Sequence, residues 1–286
     1  MTTEQPSSPE AAADQPVVPG GRRRQGRGRM LRLTVQGGQR VSPHFMSVIL
    51  AGDDVRKLRQ PGPDQAGRLF FAEPGQRAVV LPESERWMLH LTLQPTGRRP
   101  RVRTYTIRRF RPEASAIDIE VALHETEPPA GAGSSWALTA APGDEVAFLD
   151  EGHAYAPGRD ARWQLLVGDE SALPAILSIL ERSADSLPAE VFLEVPGDED
   201  VRREVTAPAH TRIHWLPRND TAVRPGSRAL DAVRTALLPM GSFYAWVAGE
   251  SALATGVRRH LVNDRGVPRS AITFRGSWRH GRPSLG

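Results

Sequence analysis

Between residues 116 and 124 the side chains of Ile117, Ile119, Val121 and Leu123 alternate with Asp118, Glu120, Ala122 and His124. A period of two marks a strand with one face on a core and the other toward solvent. Apolar runs at 30–36, 45–50, 78–81, 87–93, 101–109 and 145–149 are separated by Gly/Pro turns. Together they predict six or seven antiparallel strands in ~120 residues, a small barrel or sandwich with no long amphipathic helix.

Beyond about residue 161 the pattern changes. A short apolar run at 163–167 precedes Leu173, Ile176, Leu177 and Leu180, which fall at i, i+3, i+4 and i+7, the spacing of one helix face. Further runs at 191–195, 213–216, 243–248 and 272–274 read as strands. Leu230/Val233/Leu237 and Leu253/Val257/Leu261 mark two more helices. Strands alternating with helices predict a parallel sheet that binds ligands at the carboxyl ends of its strands. The expected organisation is an arm over 1–29, an antiparallel β-domain over 30–155, a hinge near 150–161 and an α/β domain over 160–286.

The length of 286 residues suits two such domains. The absence of cysteine excludes disulfides, thiolate metal sites, iron–sulfur clusters and thiol nucleophiles, so any redox chemistry needs a borrowed cofactor. The apolar runs are far shorter than the ~20 residues of a membrane span, and the polar first thirty residues lack the order of a secretory signal, so a cytoplasmic protein is expected. Lys57 is the sole lysine among 37 basic side chains, and 33 acidic ones leave a net charge of only +4. The arginine cluster from Arg22 to Arg29 lies in a Pro/Ser/Ala/Gly-rich stretch without aromatic residues, which predicts a solvated arm rather than a nucleic-acid site.

Three segments carry candidate chemistry. RVRTYTIRR (101–109) sets Tyr105 between two threonines and among four arginines on a predicted strand. It is either a solvated edge or a ligand face, with Arg103 for a diphosphate, Tyr105 for an aromatic surface and Thr106 for a ring nitrogen. GAGSSWA (131–137) offers small residues and amides near a helix start, suited to phosphate oxygens. At 168–171 and 248–251, GDES and AGES follow predicted strands, but no G-x-G-x-x-G fingerprint is present. Acidic side chains there either cap a helix or compete with a phosphate for its amides, so nucleotide binding is expected to be weak or transient. His210 and His214 flank a strand start, about 13 Å apart at strand rise, too far to share a metal, and no metal site is expected.

The segments RTYTIRR (103–109), DIEVALHE (118–125), SSWA (134–137), LLVGDESALPAI (165–176), WVAGESALATGVRRHL (246–261) and GSWRHG (276–281) together resemble the siderophore-interacting proteins, FAD-binding ferric-siderophore reductases among the ferredoxin-reductase-like flavoproteins. The resemblance runs in order from about Met30 to Gly281. It implies a six-stranded FAD-binding barrel followed by an α/β domain that receives NAD(P)H. Carried over by motif, Arg103, Thr104, Tyr105 and Thr106 bind the flavin, with Tyr105 and Thr106 at its reactive ring. Val121, Leu123 and His124 line the ring and ribityl chain, and Gly131, Gly133, Ser134, Ser135 and Trp136 cradle the pyrophosphate. Gly168, Asp169, Glu170, Ser171, Ala248, Gly249 and Glu250 face the nicotinamide nucleotide, and Lys57, Arg108, Trp278 and Arg279 form a rim for an anionic iron complex. Ser277 departs from the aromatic residue common at that place, implying either an altered substrate pocket or a looser tail. A ferredoxin-like donor, a flavin-dependent oxidoreductase of specialised metabolism and a binding module working through the arm are the competing readings.

Overall fold

The computed structural model describes residues 28–58, 62–76, 79–124, 131–183 and 187–281. Apart from Gly28 and Arg29, the expected arm lies outside them. The first half is a closed antiparallel barrel of β1 (Met30–Ser42), β2 (Phe45–Ala51), β3 (Ala66–Phe71), β4 (Arg101–Arg111), β5 (Ala116–Ala122) and β6 (Glu145–Asp150), in the order β1-β2-β5-β4-β3-β6. Closure leaves no exposed sheet edge, and Leu33, Leu50, Leu69, Phe71, Ile119 and Phe148 fill the interior.

The strand list needs three corrections. Residues 87–93 form a helix, α1 (Trp87–Leu93), because Trp87 and Leu91, at i and i+4, cover an apolar patch outside the barrel made by Phe70, Leu81, Val102 and Leu149. Residues 79–81 pair with no strand among the described residues, and Ala78 lies outside them. The strand that closes the barrel is instead β3, between β4 and β6. The alternation on β5 also misleads, because Asp118 and Glu120 are buried, ion-paired to Arg111 and Arg202.

The second half is a parallel sheet of β7 (Trp163–Gly168), β8 (Ala189–Val195), β9 (Arg212–Pro217), β10 (Phe243–Glu250) and β11 (Ile272–Trp278), in the order β11-β10-β7-β8-β9. Helix α3 (Leu173–Arg182) covers one face, whose core includes Phe45 of the barrel. Helices α4 (Ser227–Thr235) and α5 (Ser251–Asn263) cover the other. Leu237 is 98% exposed, because α4 ends at Thr235, short of Pro239.

Barrel and sheet are tied by charged contacts. Arg108 on β4 makes a two-pronged pair with Glu181 on α3, at 2.6 and 2.5 Å. Buried Asp200 accepts from Ser42 Oγ, the His44 amide and His44 Nδ1. Asp64 accepts from the amides of Ala154 and Tyr155 and from Trp246 Nε1. The segment expected to hinge is therefore packed. Tyr155 is buried with its hydroxyl on Gln164, and the Ala156 amide donates to Tyr244.

Candidate functional site

Alternation along β4 sends Val102 outward into the patch under α1, while Arg103 and Tyr105 stand opposite Leu69 and Gly67 of β3. Tyr105 packs against the barrel core, and burial raises the pKa of its phenol, which stays protonated at neutral pH. Burial likewise lowers the pKa of the Arg103 guanidinium, whose Nη1 donates to the Val102 carbonyl at 2.7 Å.

Helix α2 (Ala132–Thr139) begins beside these two side chains. A Cβ on Gly133 would lie 2.2 Å from Tyr105 Oη and 3.7 Å from Arg103 Cγ, so only glycine lets the helix start come this close. The N-cap of α2 is Gly131, which has no side chain to cap it; the amides of Ser134 and Ser135 fold back onto the Gly131 carbonyl. A helix start has outward N–H groups and a positive dipole end, which suits phosphate oxygens. With a guanidinium and a phenol alongside, these residues fit the pyrophosphate and ring of FAD.

Other predicted cradle residues serve the frame. Trp136 is buried against Phe71, with ring centroids 5.0 Å apart, and anchors α2 to the barrel. Val121 and Leu123 are also core. Ser134 Oγ accepts from the His124 amide at 3.1 Å and faces the Ala122 carbonyl, tying the helix start to the end of β5. Thr106 is half-buried opposite Ala66, Ser135 is half-buried, and Thr104 is exposed.

His124 carries the site across to the sheet. Its ring lies 5.2 Å from that of Trp278 at the end of β11, and its Nδ1 is 3.7 Å from Glu170. Burial lowers the His124 pKa despite Glu170. Trp278 is held at both ends, its Nε1 donating to Asp169 and its carbonyl accepting from Ser251 Oγ. At Ser277 the pairing of β11 with β10 shifts register, from Gly249 opposite Gly276 to Glu250 opposite Trp278, and the exposed serine is left without a paired residue.

The central strands end side by side, with Gly168 opposite Ala248. A Cβ at Gly168 would press on Ala172, and one at Gly249, where φ is +135°, would press on Asp169. Asp169 is fully buried and accepts from Ser171 and from the Glu250 amide. Burial and the neighbouring Glu170 push its pKa up to about 7 against those hydrogen bonds. Arg218 at the end of β9 is buried between Glu170 and Glu194, and although burial works against its charge, the two carboxylates raise its pKa. Glu194, inside the apolar run 191–195, and Arg218, two residues past the run 213–216, escaped the sequence reading.

The predicted substrate residues do not form one rim. Trp278 stands against His124, and Arg279, the next residue, is exposed. Lys57 lies in the turn after β2, paired with Asp54 at 2.5 Å. Arg108 is only 9% exposed and committed to Glu181. His214 stacks on Phe192 and points Nε2 at Glu190, while His210 is exposed.

Residues 34–155 match the family described as siderophore-interacting FAD-binding domain, and residues 161–281 the family described as siderophore-interacting protein. The ferric vibriobactin reductase ViuB of Vibrio cholerae is 30% identical over 251 residues, covering 85% of this chain and 86% of ViuB. The structure of a siderophore utilization protein from T. fusca superposes with a TM-score of 0.76 at 29% identity, covering 91% of this chain and 97% of that one. The siderophore-interacting protein SipS of Aeromonas hydrophila gives 0.71 at 30%, covering 89% and 93%. A ferredoxin reductase of carbazole 1,9a-dioxygenase, at 15% identity and a TM-score of 0.61 over 88% of this chain and 70% of that one, shares the fold. With a glycine helix start set against Arg103 and Tyr105 in a closed barrel, and a parallel sheet behind it, the chain belongs to the FAD-binding siderophore-interacting protein family.

Proposed function

We propose that this chain is an FAD-dependent reductase that carries electrons from a reduced nicotinamide nucleotide to the iron of a ferric siderophore in the cytoplasm. The observation that carries the reading is the meeting of Arg103 and Tyr105 with the start of α2 at Gly133. The name of ViuB, a ferric vibriobactin reductase, supplies the acceptor class.

FAD, when bound, accepts a hydride and passes its electrons on singly. One dihydronicotinamide reduces two Fe(III) to two Fe(II), leaving an oxidised nicotinamide and one proton. Arg103 and the α2 amides hold the pyrophosphate, Tyr105 gives an aromatic face as a neutral phenol, and the Thr106 hydroxyl stands beside the reacting ring. Neutral His124 and Trp278 wall the cleft. The reductant approaches along the strand ends at 168–171 and 248–250, and exposed Arg279, next to Trp278 in the chain, draws in an anionic iron complex. Iron(II) is held less tightly than iron(III) by hard oxygen ligands, so reduction alone frees the metal.

The test is chelator-trapped Fe(II) from a ferric siderophore, with FAD-loaded protein and NADH, NADPH or a reduced ferredoxin as separate donors. The reading predicts Fe(II) with a nicotinamide donor. FAD-loaded protein that is reduced yet leaves every ferric siderophore intact would move it to flavin chemistry on an organic substrate.

A further inference from the structure

Parallel strands put the starts of α3, α4 and α5 on one edge of the sheet, where a dinucleotide's pyrophosphate ordinarily finds free amides. Here each start is met by a carboxylate of the chain itself. At α3, Asp169 accepts from the Ser171 amide, its carbonyl takes the amides of Ala172 and Leu173, and Pro174 has no N–H to offer. At α4, Glu194 accepts from the amides of Gly226 and Ala229, at 2.7 and 3.0 Å. At α5, Glu250 accepts from the Ala252 amide at 2.5 Å.

These three side chains are fully buried, and with Glu170 they set four carboxylates on this edge. Arg218 pairs with Glu170 and Glu194, and Arg224 with Glu250, so both guanidiniums are already neutralised. A pyrophosphate carrying two further negative charges would meet an edge where four carboxylates outnumber two guanidiniums, which costs affinity. The contrast lies in the barrel, where among the described residues no carboxylate meets the start of α2, which lies against Arg103.

We infer that Asp169, Glu194 and Glu250 are specificity-determining residues that keep the reductant's pyrophosphate off the second domain, so that the donor is recognised as a dihydronicotinamide rather than as a dinucleotide. This rests on the proposed use of a nicotinamide donor and refines it. The hydride leaves the dihydropyridine ring, which becomes a pyridinium, and the pyrophosphate and adenosine add little to its delivery.

The test compares anaerobic bleaching of the FAD-loaded protein by NADH, by reduced nicotinamide mononucleotide and by 1-benzyl-1,4-dihydronicotinamide. Each rate is divided by that donor's rate with free FAD. The inference predicts normalised second-order rates within about threefold of one another. NADH outrunning the truncated donors by about a hundredfold would overturn it. A second arm titrates ADP-ribose, which keeps the pyrophosphate and lacks the nicotinamide, into the protein by calorimetry. No saturation below about 1 mM is expected, and micromolar binding would overturn the inference. Glu250→Gln, which removes one charge and releases Arg224, should tighten ADP-ribose about tenfold; should that variant fail to fold, the two wild-type arms still decide. If FAD is bound but no dihydronicotinamide bleaches it, the donor assignment falls, and with it this inference.

Discussion

Gly133→Ala probes the cradle at its narrowest point. The added Cβ would sit 2.2 Å from Tyr105 Oη, over 1 Å inside an ordinary carbon–oxygen contact, while Tyr105 Cζ is 3.5 Å away and needs no adjustment. Tyr105 is packed against the barrel core and cannot swing aside, so α2 or the phenol must shift. Overpacking of this kind costs about 1–3 kcal/mol. Alanine returns up to about 1 kcal/mol of helix propensity, so the apo-protein's melting point should fall only slightly. The cost falls on FAD instead, because the displaced groups are the cradle itself, and affinity should drop about five- to a hundredfold at 1.4 kcal/mol per decade. Flavin-fluorescence titration of the apo-protein measures it. Tyr105→Phe removes the clashing oxygen, so Gly133→Ala/Tyr105→Phe should bind FAD no worse than Tyr105→Phe alone, a coupling of about 1–3 kcal/mol. Unchanged FAD affinity in Gly133→Ala, or full additivity in the double variant, would refute the reasoning.

Three further outcomes follow from the same geometry. Arg103→Ala should raise the FAD dissociation constant about ten- to a hundredfold through lost charge-assisted hydrogen bonds, with little change in apo-protein stability, as calorimetry and thermal melts would show. Asp64→Ala strands the amides of Ala154 and Tyr155 and the Trp246 indole without their acceptor; denaturant titration should show a loss of about 3–5 kcal/mol, and a loss under about 1 kcal/mol would mean the tie matters little. Asp169 has its pKa raised from 3.8 to about 7 in the folded chain, so its ionisation withdraws stability as pH climbs through that window and nothing further above it. The fluorescence of Trp278, which donates to Asp169, should titrate with a midpoint near 7, read as wild type minus Trp278→Phe; a flat difference from about pH 5 to 9 would deny the shift.

The architecture was legible where periodicity reports burial without competition. Ile117, Ile119, Val121 and Leu123 mark β5, and Leu173, Ile176, Leu177 and Leu180 mark α3. It failed where burial comes from outside the element. Trp87 and Leu91 cover the barrel's outer wall, so an apolar run that reads as a strand is a surface helix. Asp118 and Glu120 look solvent-facing because their partners, Arg111 and Arg202, belong to other segments. The cradle was legible as residue types but not as roles: Trp136 and Ser134 hold the frame, whereas Gly133 sets the spacing against Tyr105. Arg108 reads as one more basic residue in RVRTYTIRR, and only Glu181, 73 positions later, removes it from the rim. The acid at 194 carries no local signal, since its contacts with Gly226, Ala229 and Arg218 arise from the parallel order of strands.

The central claim is that Arg103, Tyr105 and the start of α2 hold a flavin that passes electrons to chelated iron. Its most direct measurement is the visible absorption of the purified protein, supplied with FAD, then made anaerobic and given NADH or NADPH, then a ferric siderophore with an Fe(II) chelator. The account predicts flavin bands that bleach with the reductant and return as two Fe(II) appear for each flavin reoxidised. A protein that stays colourless and takes up no FAD would contradict it.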